Sequence, residues 1–334
     1  MVIDDQREVL EVLSRPDTYG PSRPEVTRID THSAAVFLAG DRAWKLKRAV
    51  RYDYLDFSTV ERRRQCCEAE LALNVRIAPS IYRRVVPLTR DGDGGLVLDG
   101  QGPAVEWLLE MQRFDGDALC DRLAERGALG LPTMQALGHA VAVMHATAPV
   151  SRGRGGAASM RWVIDGNASA FASFAEDLLP QARHRVVTGR TRALCERLAP
   201  RLDARAARGL VRQCHGDLHL RNIVLLEGRP TPFDAVEFND AISHIDVWYD
   251  LAFLLMDLWR RGLRRHANVV LNEYARTTGD LDGLAVLPLF LACRAAVRAK
   301  TSATAATLAR DAEARATLAA TGRGYLALAE SLLE

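Results

Sequence analysis

The sequence predicts an α+β protein of two lobes, a small β-sheet lobe carrying one main helix and a larger, mostly helical lobe. Three observations lead there. The chain has 334 residues, more than a single core usually spans, and its 48% hydrophobic content can fill two cores. Short β-prone runs crowd the stretch before Met111, whereas Ala-, Leu- and Arg-rich segments of helical period follow it. One patch, Val211 to Glu237, interrupts the helical part with short apolar runs between polar loop signals. The expected lobes are residues 1–111 and 112–334.

The elements follow in order. Residues 35–47 form two β-prone runs around Gly40-Asp41, a pair suited to a tight hairpin turn. Ser58-Thr59-Val60-Glu61 fits a capping box, with the Ser58 hydroxyl and the Glu61 carboxylate satisfying free amides at the start of a helix that runs to about Ile77. Val85 to Leu88, Gly95 to Leu98 and Ala104 to Leu109 complete the small sheet. Helices are expected over Leu131 to Ala146, Ala168 to Leu179 and Thr191 to Leu210, and again from Leu284 onward, with Arg152 to Gly156 as a surface loop.

Composition narrows the function. Basic and acidic residues number 44 and 42, a formal charge of +2, too balanced for long-range attraction to nucleic acid or membrane. The six cysteines have no C-x-x-C spacing, which suits reduced thiols. The first residues are charged where a signal peptide would be apolar, and the longest apolar runs are too short to span a bilayer. A cytoplasmic protein is expected.

The segment Cys214-His215-Gly216-Asp217-Leu218-His219-Leu220-Arg221-Asn222 sets an acid five residues before an amide, and Phe233-Asp234 follows twelve residues after that amide. Phosphoryl transfer requires this inventory: a carboxylate to orient an acceptor hydroxyl, and hard oxygens to hold Mg²⁺ on the phosphates.

These residues resemble the aminoglycoside phosphotransferase and choline kinase group, which has the two-lobed fold of protein kinases and the signature H-x-D-x-x-x-x-N followed by an Asp on the next hairpin. His215, Asp217, Asn222 and Asp234 stand in those places. The resemblance implies Asp217 as catalytic base, Asn222 and Asp234 as metal ligands, and His215 as an architectural histidine. Ile245 to Ala252 is similar to the group's Asp-Leu-Ala element, in which Asp250 would support the catalytic loop. Tyr54 to Thr59, Glu70 to Tyr82, Phe233 to Phe238 and Arg294 to Lys300 resemble one uncharacterised branch, often fused to a P-loop ATP-binding domain. No G-x-x-x-x-G-K-[ST] occurs here, so the phosphotransferase unit is expected to stand alone.

The nucleotide side of such a site needs a strand lysine for the phosphates and a helix glutamate to hold it. Lys45 and Lys47 share a strand face and both qualify. Ala43, two residues before Lys45, is small enough to lie over an adenine, which favours Lys45 and leaves Lys47 as a solvated strand end. Glu70 aligns with Cys66, Leu73 and Ile77 on an inward stripe and is the expected partner. Leu109-Glu110-Met111-Gln112 resembles the hinge whose backbone meets the adenine edge. Thr31-His32-Ser33-Ala34 lacks the glycines of a Gly-rich loop; Ser33 is a candidate phosphate donor or an exposed turn residue, and His219 and Arg221 either approach the phosphates or are solvated or serve packing.

The expected reaction moves the γ-phosphate of ATP, with Mg²⁺, to a small-molecule hydroxyl. Asp234, Glu237, Asp240, Asp246, Asp250 and Asp257 form a run of acids that either suits an amino sugar or aminoglycoside or serves metal, structure and a solvated helix face. Arg294, Arg298 and Lys300 face either the active site or salt-bridge partners, and Arg260, Arg261, Arg264 and Arg265 read as a solvated helix end. Two other readings use the same residues: a nucleotide-binding scaffold without catalysis, against which the intact acid–amide–acid set speaks, and a protein kinase, for which no activation segment is recognisable.

Overall fold

The structure, a computed structural model, describes residues 5–22, 24–52 and 55–334. Tyr54, at the head of one of the resembling stretches, and the first four residues of the charged N-terminus lie outside it.

The chain begins with α1 (Arg7–Leu13) and builds an antiparallel sheet from β1 (Val26–Asp30), β2 (Ala34–Ala39) and β3 (Arg42–Lys47). A two-residue pair, β4 (Arg51–Tyr52) and β5 (Leu55–Asp56), leads into α2 (Val60–Ile77). β6 (Tyr82–Arg90), β7 (Leu96–Leu98) and β8 (Ala104–Gln112) finish a six-stranded sheet of order β1-β2-β3-β8-β6-β7. Gly40, at the first position of the two-residue β2–β3 turn, has φ +60, where a side chain would be strained. Phe37, Leu46, Leu88 and Leu108 pack one face of this sheet against Val9 and Leu13 of α1.

The helix cap sits one residue later than the capping box predicts. Thr59, not Ser58, accepts from the Arg62 amide at 3.2 Å, because the Asp56 carboxylate takes the Ser58 amide and keeps that residue in the loop. The buried stripe of α2 is Arg63, Cys67, Glu70, Leu73 and Asn74, while Cys66 and Ile77 are half-buried. Arg63 is neutralised there by Glu106 of β8.

The second part holds α3 (Cys120–Glu125), α4 (Leu131–Thr147), α5 (Gly156–Ser173) and α6 (Gln181–Ala207), then β9 (Val211–Gln213), β10 (Ile223–Leu226) and β11 (Arg229–Pro232). α7 (Asp240–Ser243), β12 (His244–Asp246), α8 (Val247–Arg260), α9 (Arg264–Thr278), α10 (Leu287–Leu308) and α11 (Ala312–Ser331) complete it. The fold class is the expected two-lobed α+β one. Two helix expectations were out of phase. α5 starts at Gly156 and has ended before Leu178 and Leu179, which are buried in the connection to α6; α6 begins ten residues before Thr191. Those apolar residues are held by tertiary packing against Phe174 and α10–α11 residues, so they imitate a helical face without belonging to one.

α8 is buried from Val247 to Leu258 and forms the axis of the helical core, with α4, α9 and α10 around it. Its apolar residues face the surrounding helices, and its two buried acids, Asp250 and Asp257, lie on one side. Among the described residues no helix is long and apolar enough to cross a membrane, and the six cysteines are free thiols.

Candidate active site

The loop after β9 carries the acid–amide pair, and α8 braces it from below. Asp246, Asp250 and Asp257 line one side of α8. Asp246 caps the helix by accepting from the Trp248 amide at 2.9 Å. Asp250, fully buried, accepts from the His215 amide at 3.0 Å and the Gly216 amide at 2.8 Å. It also meets His145 Nε2 at 3.0 Å, and Tyr274 Oη fixes that imidazole from its other nitrogen at 2.8 Å. Burial alone would raise the Asp250 carboxyl; the hydrogen bond and charge of His145, with His215 and Arg294, instead hold it below the usual range. Asp257 accepts from the Leu220 amide at 3.1 Å. Arg294 of α10 closes the loop from the side by donating to the Gly216 carbonyl at 3.2 Å. Gly216 itself has φ +84, and a Cβ there would press on the Ile242 carbonyl at 3.1 Å.

So held, the loop presents the Asp217 carboxylate with 40% of its side chain exposed. Its Oδ2 accepts from Asn222 Nδ2 at 3.1 Å and lies 3.3 Å from His219 Nε2. Asn222 Nδ2 also donates to the Asp217 carbonyl at 3.0 Å, so the amide is tied to both the backbone and the carboxylate of the acid. Burial pushes this carboxyl up, but the charge and hydrogen bond of His219, with His215 and Arg298, outweigh it and keep Asp217 ionised.

Asp234 sits where β11 leaves the hairpin. His215 Nε2 donates to the Phe233 carbonyl at 2.8 Å and the Phe233 amide donates to the Asn222 carbonyl at 2.9 Å, tying the two halves of the site together. Asp234 has φ +62, a conformation that non-glycine residues rarely take and that marks functional turns. Neighbours hold it there. Its amide donates to Tyr82 Oη at 2.9 Å, and Asn74 grips Ala235 twice, at 2.8 Å through Oδ1 and 3.2 Å through Nδ2.

Both lysines meet Glu70. Lys45 Nζ lies 2.7 Å from Glu70 Oε1 and 2.6 Å from Asp234 Oδ1; Lys47 Nζ lies 2.7 Å from Glu70 Oε2 and 2.5 Å from Glu237 Oε1. Lys45 is the lysine that reaches Asp234. Lys47 is not a solvated strand end: its side chain is 3% exposed and it buries its charge between two acids. Burial pushes the Glu70 carboxyl up, yet the two ammonium groups bring it down to about 2. Glu237 was read only as part of an acidic run; nothing in its spacing shows that it is the second anchor of Lys47.

The remaining candidates are dispersed. Met111 pairs with Ala43 across β3–β8, and both join an apolar cluster with Tyr82, Leu109 and Val224 that spans the two parts of the chain. The Glu110 carboxylate turns to Arg84 at 2.8 Å and Arg42 at 3.6 Å, leaving only its backbone for a hinge role. Ser33 is half-buried and its carbonyl accepts from the Arg48 amide at 2.8 Å. Arg221 points away, 68% exposed and 3.7 Å from Asp121. The six acids of the run are all engaged: Asp234 with Lys45, Glu237 with Lys47, Asp240 with Arg154, Asp246 with Arg205, Asp250 under the loop, and Asp257 with Leu220 and Arg261. Asn74, Tyr82 and His145 escaped sequence reasoning, since their partners lie far along the chain; of the two places left open for Arg294, the structure sets it against the loop at Gly216.

The donor set suits a magnesium ion. Among the described residues Asn222 Oδ1 and Asp234 Oδ2 have no hydrogen-bond partner, because Nδ2 and Oδ1 are the atoms already used. These are hard oxygens of the kind that bind Mg²⁺ alongside water and phosphate.

Comparison with solved structures places this architecture. A choline/ethanolamine kinase family protein from Mesorhizobium loti is similar with TM-score 0.57 and 17% identity, over 95% of this chain and 90% of that one. Choline kinase from Cryptosporidium parvum is similar with TM-score 0.58 and 10% identity, over 93% and 90%. Aminoglycoside phosphotransferase APH(4)-Ia, in a ternary complex with AMP-PNP and hygromycin B, is similar with TM-score 0.55 and 13% identity, over 96% and 98%. The chain therefore has the protein-kinase-like fold. More narrowly, it is the form of that fold found in choline kinases and aminoglycoside phosphotransferases. No family model matches the chain. Uncharacterized proteins of Mycobacterium tuberculosis and Mycobacterium bovis are 31% identical over 285 residues, 81% of this chain and 53% of theirs. The chain thus spans about half the length of the curated relatives it matches.

Proposed function

We propose that this chain is an ATP- and Mg²⁺-dependent phosphotransferase, a member of the aminoglycoside phosphotransferase and choline kinase group, acting on a hydroxyl of a small molecule. The observation that carries this reading is the joined pair of constellations: Asp217 bonded to Asn222 on a braced loop, and Glu70–Lys45–Asp234 as one chain of ion pairs from α2 to the hairpin. Asp217, kept ionised, accepts a hydrogen bond from the acceptor hydroxyl, orients it and takes its proton. Lys45, positioned by Glu70, neutralises phosphate oxygens. Asn222 and Asp234 hold the metal, which when bound shields the phosphate charge. Ala43 and Met111 receive the adenine, with the Glu110–Met111 backbone at its edge and the lobes dividing after Met111. Ser33, in the turn between β1 and β2, is the candidate donor above the phosphates.

The run from Ala235 to Asp246 is occupied by α7, β12 and their connections, which leaves no length for an activation segment and favours a small acceptor over a protein. A cytoplasmic setting, where ATP and Mg²⁺ are supplied, belongs to the proposal. The test is Mg²⁺-dependent phosphate transfer by the purified protein across neutral, cationic and acidic alcohols, followed by phosphorus NMR of the product. Formation of a phosphate monoester that stops on chelation supports the reading, and tight ATP–Mg²⁺ binding with no transfer to any alcohol favours a non-catalytic scaffold.

A further inference from the structure

The surroundings of Asp217 are cationic. Every acid between Asp234 and Trp259 already has a partner, so none remains to attract a positively charged acceptor. The basic groups are less completely matched. On α10, Arg294 is buried beneath the catalytic loop, its guanidinium 3.9 Å from the ring centre of Tyr249 and 4.7 Å from that of Phe253. Its Nη2 has no hydrogen-bond partner and lies 3.8 Å from Asp250 Oδ1, and Nδ1 of buried His219, whose other ring nitrogen faces Asp217, has no hydrogen-bond partner either.

One helical turn on, Arg298 lies on the same face of α10. It is half-buried and, among the described residues, has no carboxylate partner; its guanidinium stands 5.6 Å from the ring centre of Tyr325. Arg260, exposed at the end of α8, approaches that same ring at 5.4 Å and likewise has no carboxylate partner among the described residues. Arg294, one turn before Arg298 on α10, donates to the Gly216 carbonyl beside Asp217, which sets Arg298 on the side of the loop, and the charge of Arg298 acts on Asp217. Arg298 of α10 and Arg260 of α8 thus approach one ring of α11, and among the described residues neither forms a salt bridge. A half-buried guanidinium gains from an anion that a ligand brings, and the fork of Arg suits carboxylate and phosphate oxygens.

We propose that the acceptor alcohol also carries an acid group, a carboxylate or a phosphate, held by Arg298 and Arg260 while Asp217 orients the hydroxyl. The inference rests on the phosphotransferase reading and reverses the expectation of an amino sugar.

The experiment measures binding to the ADP–Mg²⁺-saturated protein, and turnover with ATP, for matched compounds. Gluconate and glycerate supply a carboxylate, glucose phosphate and glycerol phosphate a phosphate, glucose and glycerol no charge, glucosamine and ethanolamine an amine. At least one acid class is expected to bind about tenfold or more tightly than its neutral partner, and the class that does so names the anion. Arg298→Gln is expected to lower that affinity by about 10- to 100-fold, the range for a hydrogen bond to a charged group, with KM for ATP unchanged. Arg298→Lys should recover part of the loss, and Arg260→Gln should show a smaller one. The inference is overturned if acids bind no better than neutral compounds, if amines are preferred, or if Arg298→Gln leaves acid affinity unchanged. Failure of the underlying reading shows separately, as absent ATP–Mg²⁺ binding or as undiminished ATP consumption by Asp217→Asn.

Discussion

Glu70 is the residue on which most charge converges. It is wholly buried, and each of its oxygens takes one lysine. Replacing it by Gln leaves two buried ammonium groups short of a counter-charge, and breaking a buried pair in this way costs about 3–5 kcal/mol; urea unfolding of Glu70→Gln checks it. The same pairing gives a pH dependence. The folded-state carboxyl is depressed to about 2 from an ordinary 4.5, so its contribution to stability is complete above about 4.5 and is lost as pH falls toward 2. The stability gap between the native protein and Glu70→Gln should therefore narrow over that window; a gap that stays constant would show that the two lysines do not depress this carboxyl. The inward position of Glu70 could be read from helical spacing. That it serves two lysines could not, because the second is placed by the register of β3 against β2 and β8.

At the scale of elements, α2 couples its start to the site through its length. Thr59→Ala is expected to cost about 1 kcal/mol, the usual worth of an N-cap, whereas Ser58→Ala should cost little. Equal costs for the two would restore the box that the local sequence suggests. Farther along, Asn74 grips Ala235, so Asn74→Ala should lower kcat by loosening the Asp234 turn while thermal unfolding shifts only modestly. Five of the six strands of the small sheet, the β2–β3 turn and the helix expected over Leu131 to Ala146 were legible because period and turn chemistry are local properties, whereas β1, which is mostly exposed, gave no such signal. The boundaries of α5 and α6 were not. Their apolar connecting residues answer to a buried site built by α10 and α11, far away in sequence.

Across the whole molecule, buried ion pairs stitch distant segments together. Arg205 of α6 meets Asp246 at 2.7 Å and Asp280 at 2.8 Å, joining α6, the start of α8 and the turn after α9. Arg205→Ala strands two acids and should destabilise the helical part by about 3–5 kcal/mol, read by thermal or urea unfolding. The spacing from His215 through Asn222 to Asp234, with Asp250 beyond it, was visible in the sequence, and one loop and one hairpin bring these residues together. The bracing by His145 and Tyr82 was not, since only the assembled fold brings them near, and for Arg294 helical spacing left both the site and a salt bridge open. All of this converges on one group, the carboxylate of Asp217. The most direct measurement compares ATP–Mg²⁺ affinity and phosphate transfer in the native protein and Asp217→Asn. Unchanged nucleotide binding with transfer reduced by about 10²- to 10⁴-fold is the expected result, and full transfer by the Asn variant would contradict the account.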